Sequence, residues 1–470
     1  DIIIRAADDV IIQTQGSEGA IVARGDGTVE LYYDGSKKLE TTTTGAKVTG
    51  ALEVTQEYPS IRPTLDLNFA ATKTLDRRIT FTRNSIGTYV GEDCLIKYAS
   101  NNVPRFDHDP VTGESLGLLI EEARTNYGVY SSEFDNAAHN KLTATVSANQ
   151  AVAPDGTTTA DLLYPNSSGS GRGLEDIYAL PSTGIYTTSL YVKAAGLSWV
   201  QLYAVNGGKR AYFNVATGVK GGHAGSGSFE DWDIIDAGNG WYRIYVTYNL
   251  TTTGSNEYYY LYFAGGDGNG SVTANGTNGV YIWGLQVEKG SFATSYIPTS
   301  GSAVTRAQDT PLITGTNFTD FYNQSEGTLV LSADTGYLAT ANQAAVVFED
   351  TSNQSASFIG IGYNLGGGGS GHVGAWYNSS GTTSAFKTHN IGVTINTEFR
   401  QSFAYKLDDF SSVVNGGAPL TDNSGGITSL IDRVRFGNYH YGGMTSGHIR
   451  QFKYYNKRLP DAQLQGLTQQ

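Results

Sequence analysis

The chain has 470 residues, enough for two or three domains with a substantial core. Only 16% are charged, against roughly 25% in an ordinary soluble domain, and neutral polar residues, 59 Gly and 31 Tyr take their place. The formal charge of −13 and the lack of any Lys/Arg cluster exclude the basic footprint of a nucleic-acid binder, and without an apolar run of about 18 residues no membrane insertion is expected.

From the N-terminus, residues 1–57 read as short strands (IIIR, VIIQT, AIVAR, TVELYY, KLETTT, AKVTG, ALEV) separated by turns such as Asp34-Gly35-Ser36. Each strand has only two or three apolar residues on one face. One chain can hardly bury them, whereas three chains around one axis can, so a trimeric β-stalk is expected, with a small monomeric β-domain as the alternative. Residues 58–63 contain Pro59 and Pro63 and read as a stiff linker.

Residues 64–309 read as one all-β unit that opens with alternating Leu65, Leu67 and Phe69. Its later strands include 242–248, the Tyr-rich 257–263 and 280–287, joined by Gly-rich turns, a pattern for a sandwich or jelly roll. A second sandwich is expected over 310–470, closed by a short helix that Pro460 and Asp461 begin and that Leu464 and Leu467 dock. Cys94 is the sole cysteine, so no disulfide can form within the chain, which suits folding in a reducing cytoplasm. The first residue is Asp1, not Met, and a processed product or part of something longer is expected.

Three strings resemble the carbohydrate-binding-module-like jelly roll of bacteriophage tail fibres: GLLIEEARTN at 117–126, SSEFDNAAHNKLTATVSANQAVAPDGTTTADLL at 131–163, and GLQVEKGSFATSYIPTSGSAVTRAQD at 284–309. NFTDFYNQSEGTLVLS at 317–332 and HIRQFKYYNKRLPDAQLQGLT at 448–468 resemble the laminin-G or concanavalin-like sandwich that often follows it. TVELYYDGSKKLETTTTGAKVTGALEV resembles a repeat of marine phage structural proteins. The resemblance implies a homotrimeric receptor-binding fibre in the virion tail. It would fold in the host cytoplasm, contact other virion tail proteins, and adhere to a host surface glycan or other envelope receptor. One departure is His139, where related modules carry an aromatic residue; no sugar-binding role is carried onto it.

Sugar recognition needs flat aromatic faces beside neutral amides and carboxylates. Trp199, Tyr203, Tyr212, Tyr258 and Tyr260 fall in strand-like segments of the middle module, and Trp232 falls in an expected loop. Trp376, Tyr377, Tyr439, His440 and Tyr441 are their counterparts in the last module. The ligand-binding candidates are Trp232, Trp376, Trp199, Tyr203, Tyr258, Tyr260, Tyr439 and Tyr441, with Trp232 and Trp376 preferred. Half or more of the aromatics should simply fill the core, and Trp241 and Trp283 read as structural.

Glycoside hydrolysis needs two carboxyls flanking a bond. Glu121-Glu122, Glu175-Asp176, Glu230-Asp231 and Asp408-Asp409 are immediate neighbours, which on a strand point apart. No nucleophile, P-loop or zinc motif is present. No enzyme is therefore expected, a tailspike-type depolymerase or a purely structural fibre component being the alternatives. A structural calcium is the one cofactor considered, with Asp107, Asp109, Glu114 and Asp267 as oxygen donors; turns stabilised by Asp side chains explain the same residues.

Overall fold

The computed structural model describes residues 7–13, 19–25, 27–43, 45–49, 62–204, 209–225, 229–252, 257–337, 343–354, 357–363, 372–379, 381–427, 430–437 and 446–469. The chain is all-β, with short helices only at Phe69–Thr72, Thr316–Thr319 and Asp461–Thr468 among the described residues. It divides into two compact units, Asp1–Ser60 and Ile61–Gln470.

In the first unit, strands Val10–Gln13, Gly19–Ala23, Val29–Tyr33, Ser36–Thr42 and Gly45–Val48 form one antiparallel meander in chain order. The expected IIIR and ALEV strands, and the linker up to Ile61, lie outside the described residues. Asp34 (φ 50°) and Gly35 (φ 66°) supply the paired positive φ of a tight hairpin turn that matches strand twist. Register places Ile12, Ile21, Leu31, Leu39 and Val48 directly across from one another, one from each strand. The adjacent row on the opposite face is Ile11, Val22, Glu30, Glu40 and Lys47. There Glu30 meets Arg24 at 3.2 Å and Lys37 at 3.0 Å. The sheet thus has an ionic face and an apolar one. Ile12, Ile21, Leu31 and Val48 of the apolar row remain between 37% and 46% exposed.

The second unit holds two sandwiches, distributed differently from the expected division at 309/310. Strand Leu65–Asn68 pairs with Gly447–Tyr455, with Leu67 opposite Phe452. Thr80–Thr82 pairs with Thr310–Thr314, and Ser115–Ile120 with Gly447–Tyr455. The leading segment therefore belongs to the final sandwich. Its eight- and seven-stranded sheets enclose a core that includes Leu67, Leu118, Leu329, Phe348, Ile359, Phe403 and Phe452. Phe69 opens the first short helix instead of extending its strand. The closing helix, Asp461–Thr468, seats Leu464 on Val330, Ala404 and Val413.

The jelly roll is nested within this sandwich. It begins and ends on a two-stranded ladder in which Arg124 opposes Arg306 and Asn126 opposes Val304. Between these ends lie two six-stranded sheets. The outer consists of Asn140–Leu142, Gly173–Tyr178, Glu257–Ala264, Trp199–Ala204, Lys209–Asn214 and Val219–Ala224, in spatial order. Its inward side chains, including Leu174, Leu202, Phe213 and Leu261, pack on Ile244, Val246, Ile282 and Val287 of the other sheet. Alternation revealed these strands in the sequence. It could not reveal partners more than three hundred residues apart, because a strand's side-chain period says nothing about which strand it joins.

Two of the strings that carried the resemblance, 117–126 and 284–309, supply Glu121, Arg306 and Asp309 to the joint between the sandwiches. Glu121 receives ion pairs from Arg105 (2.6 Å) and Arg306, and Asp309 receives them from Arg83 (3.1 Å) and Arg105. All five residues are buried. Burial would push the Glu121 carboxyl up, but Arg306 and Arg105, with hydrogen bonds from Ser295, hold it well below the ordinary carboxylate range. The closing segment is tied in the same way. Asn126 Nδ2 donates to Leu285 O and Ile297 O, and Glu288 accepts from Gln286 Nε2 and Thr294 N. His139 fills its aromatic position by packing on Phe134, with ring centroids 5.0 Å apart, while its Nδ1 meets Asp176 at 2.9 Å.

A second buried ionic contact pins the final sandwich to its leading segment. His448 lies between Asp334 (Nδ1–Oδ1 2.9 Å) and Asp107 (Nε2–Oδ2 3.0 Å). Burial disfavours its charged form, but the two carboxylates outweigh this and raise its pKa from 6.5 to about 10. Because the folded value lies above the unfolded one, the stabilisation is complete below pH 6.5 and is lost as pH rises through about 10. The denaturation midpoint should therefore fall across that interval, and His448→Gln should flatten the fall; an unchanged slope in the variant would remove His448 from the account.

Candidate functional site

The outer sheet of the jelly roll turns one face to its core and presents the other as an aromatic row. Strand alternation puts Val200, Leu202 and Ala204 inward, and Trp199, Gln201 and Tyr203 outward. Register then sets Asn140, Glu175, Tyr260, Tyr203 and Arg210 side by side across five strands. Tyr260 and Tyr262 stack at 5.0 Å, and Tyr203 meets them edge-on at 5.6 and 5.3 Å. All three rings are half-buried. Asn140 Nδ2 donates to Glu175 at 3.2 Å at one end of the row. At the other end Arg210 lies 5.6 Å above the Tyr203 ring and donates to its hydroxyl at 3.1 Å. Ile177, 47% exposed, shows that the flank beside Glu175 is open.

A second row on this face runs Gly173, Tyr262, Gln201 and Tyr212. Gly173 adopts φ 151°, and a Cβ there would fall 2.0 Å from Leu261 O, so this end of the row has no side chain beside Tyr262. Gln201 Nε2 donates to Phe263 O at 3.0 Å, while its buried Oε1 has no hydrogen-bond partner. Tyr212 is covered. The face thus combines half-open rings, a carboxylate and a guanidinium, groups that suit sugar ring faces and hydroxyls.

Of the expected residues, Tyr203 and Tyr260 come together here, and Trp199 lies on the same face four residues along the strand from Tyr203. Tyr258 takes register opposite Ile177 on the same face, but its side chain lies outside the described residues. Trp199 packs against Gly221, where any side chain would meet the indole at 2.9 Å. Trp232 is not in a loop: it sits in strand Asp231–Asp236 of the other sheet. Its Nε1 donates to Gly221 O, Lys220 lies 4.5 Å from its ring centroid, and the His223 ring packs at 4.6 Å. Trp376 belongs to the other sandwich, between Phe358 (5.1 Å) and Phe386 (5.8 Å), and does not join the row. Tyr439, His440 and Tyr441 lie outside the described residues. Trp241 and Trp283 are each 1% exposed and fill the core. Glu175, Tyr262 and Arg210 were missed as members, since only cross-strand register unites them.

The carboxylate neighbours are separated or already partnered. Glu121 belongs to the joint, and Glu175 and Asp176 point to opposite faces. Asp231 accepts from Tyr245 at 2.8 Å, and Asp409 pairs with Arg458 at 2.9 Å. The oxygen donors considered for calcium are apart as well. Asp107 holds His448 and Val90 N, and Asp109 accepts from Val111 N, Thr112 N and the Thr112 hydroxyl. Glu114 is exposed, and Asp267 accepts from Gly222 N at 2.8 Å. Among the described residues no group of three or more His, Cys, Asp or Glu could hold a metal ion. A cavity of about 930 Å³ opens elsewhere, lined by Tyr89, Ile96, Tyr98 and Phe106, but its rim charges pair with each other as Lys73–Glu92 and Lys97–Asp93.

No family model and no curated protein sequence matches the chain. Among solved structures, the chain is similar to the CBM40 of the Ruminococcus gnavus IT-sialidase bound to α2,3-sialyllactose, with 17% identity over 32% of this chain and 84% of that one, at a TM-score of 0.27. Domain 4 of AbnA, an extracellular GH43 arabinanase from Geobacillus stearothermophilus in complex with arabinotriose, shares 12% identity over 38% and 83%, at 0.28. Mouse laminin α1 domains LG4-5 share 9% over 68% and 92%, at 0.21. At scores this low the architecture rests on the sheets themselves.

Proposed function

We propose that this chain is the receptor-binding portion of a phage tail fibre, which captures a host surface glycan without cleaving it. The observation that carries the reading is the row of Glu175, Tyr260, Tyr203 and Arg210 on an open sheet face, with half-buried rings between polar ends. Sugar ring faces would lie on Tyr260 and Tyr203, and hydroxyls would bond to Glu175 and Asn140. Weak single sites gain strength when several copies are presented together. The apolar row of the N-terminal sheet supports such clustering, as a homotrimer in the virion tail.

The test is binding of the purified chain to host and non-host cells and to polysaccharide extracted from each. Tyr260→Ala should weaken capture about tenfold, the equivalent of one lost ring contact. Unchanged capture by that variant would move the site off this face. Release of reducing ends from the polysaccharide would make the protein a depolymerase.

A further inference from the structure

We infer that the glycan taken by this face carries an acid group, and that Arg210 is the residue that receives it. The inference rests on the glycan reading above and narrows its ligand class.

Arginines in this acidic chain are mostly bound to carboxylates. Arg24, Arg78, Arg105, Arg306, Arg433 and Arg458 all sit in ion pairs. Arg210 has none among the described residues. Its guanidinium is half-exposed and rests on the Tyr203 ring and hydroxyl, with Nε buried beneath it. The neighbouring segment 205–208 is Val-Asn-Gly-Gly and brings no acid. A ring-backed, half-exposed guanidinium that no carboxylate engages is the fork that recognises a planar carboxylate or an acid ester.

Glu175 is the carboxylate on the same row, and its distance decides whether it spoils the site. Three strand spacings separate it from Arg210, roughly 14 Å. That exceeds the screening length of about 8 Å at physiological ionic strength, so its field at the guanidinium is weak. The row is therefore polarised along its length. Neutral hydroxyls suit the Glu175 and Asn140 end, ring faces suit Tyr260 and Tyr203, and an acid substituent suits the Arg210 end.

The experiment uses the full chain and acidic oligosaccharides from the host surface polysaccharide, each presented in native and carboxyl-reduced form, with desulfated or dephosphorylated forms where esters are present. The native form should bind, and removal of its acid group should weaken binding about ten- to a hundredfold. The arm that loses binding tells carboxylate from ester. Arg210→Gln should match that loss on the native glycan and weaken the acid-free form by clearly less; Arg210→Lys should keep part of the binding. Thermal melting of both variants controls for folding, and Tyr260→Ala should weaken native and acid-free forms alike. Equal binding of native and acid-free glycans, or an Arg210→Gln variant that binds as the parent does, overturns the inference and leaves the glycan reading standing. No binding of any form by the parent chain overturns both.

Discussion

Arg105→Leu is expected to destabilise the unit spanning residues 61–470 by about 3–5 kcal/mol, read as a fall in the chemical-denaturation midpoint. Arg105 is the cation shared by both acids of the joint, Glu121 and Asp309, and it also donates to Thr88 O at 2.9 Å and to the Ser295 hydroxyl at 2.8 Å. Taking it away leaves Arg306 on Glu121 and Arg83 on Asp309, so three cations against two acids become two against two and formal charge is balanced. Balance does not rescue the site, because buried carboxylate oxygens and the Thr88 carbonyl lose their donor where no water replaces it. The effect should exceed that of a surface pair such as Lys97–Asp93, which lies on exposed side chains and contributes under about 1 kcal/mol. An unchanged midpoint would mean that the joint is dispensable.

Leu31→Asp is expected to abolish self-association while leaving each chain folded. Leu31 stands in the middle of the apolar row, between Ile21 and Leu39, and is 39% exposed in the single chain. A charge on a surface this open should alter single-chain stability by only about 0.5 kcal/mol. Desolvating the same charge between copies costs several times more. In sedimentation the parent chain should appear at three times its 50.2 kDa mass and the variant at 50.2 kDa. A parent chain that already sediments alone would end the trimer proposal. Lys47→Ala, on the ionic face, serves as the comparison and should leave the mass of the parent assembly intact.

Strand existence was legible in the sequence because alternation is local, and Tyr203 and Tyr260 could be picked out because aromatic residues in strand-like segments are conspicuous. What joined them was not legible. Arg210 reaches Tyr203 through a hairpin register, and Glu175 reaches Tyr260 from a strand more than eighty residues away in the chain. Trp232 was misplaced because two flanking aspartates look like a turn; in the structure Asp231 and Asp233 each take part in a regular edge strand, with Asp231 bonded to Tyr245. The division at 309/310 failed for the same non-local reason, since Leu65 and Leu67 read as a strand of whatever follows them until Tyr454 and Phe452 prove to be their partners.

The ladder that opposes Arg124 to Arg306 has a consequence for how such a protein can change its target. A jelly roll whose two ends emerge side by side behaves as a plug-in cassette: a different insert can be fitted between the same two strands without rerouting the host sandwich. What any replacement would have to retain is the closing segment around Ser295, Arg306 and Asp309, because those residues complete the charge cluster on which the sandwich itself depends.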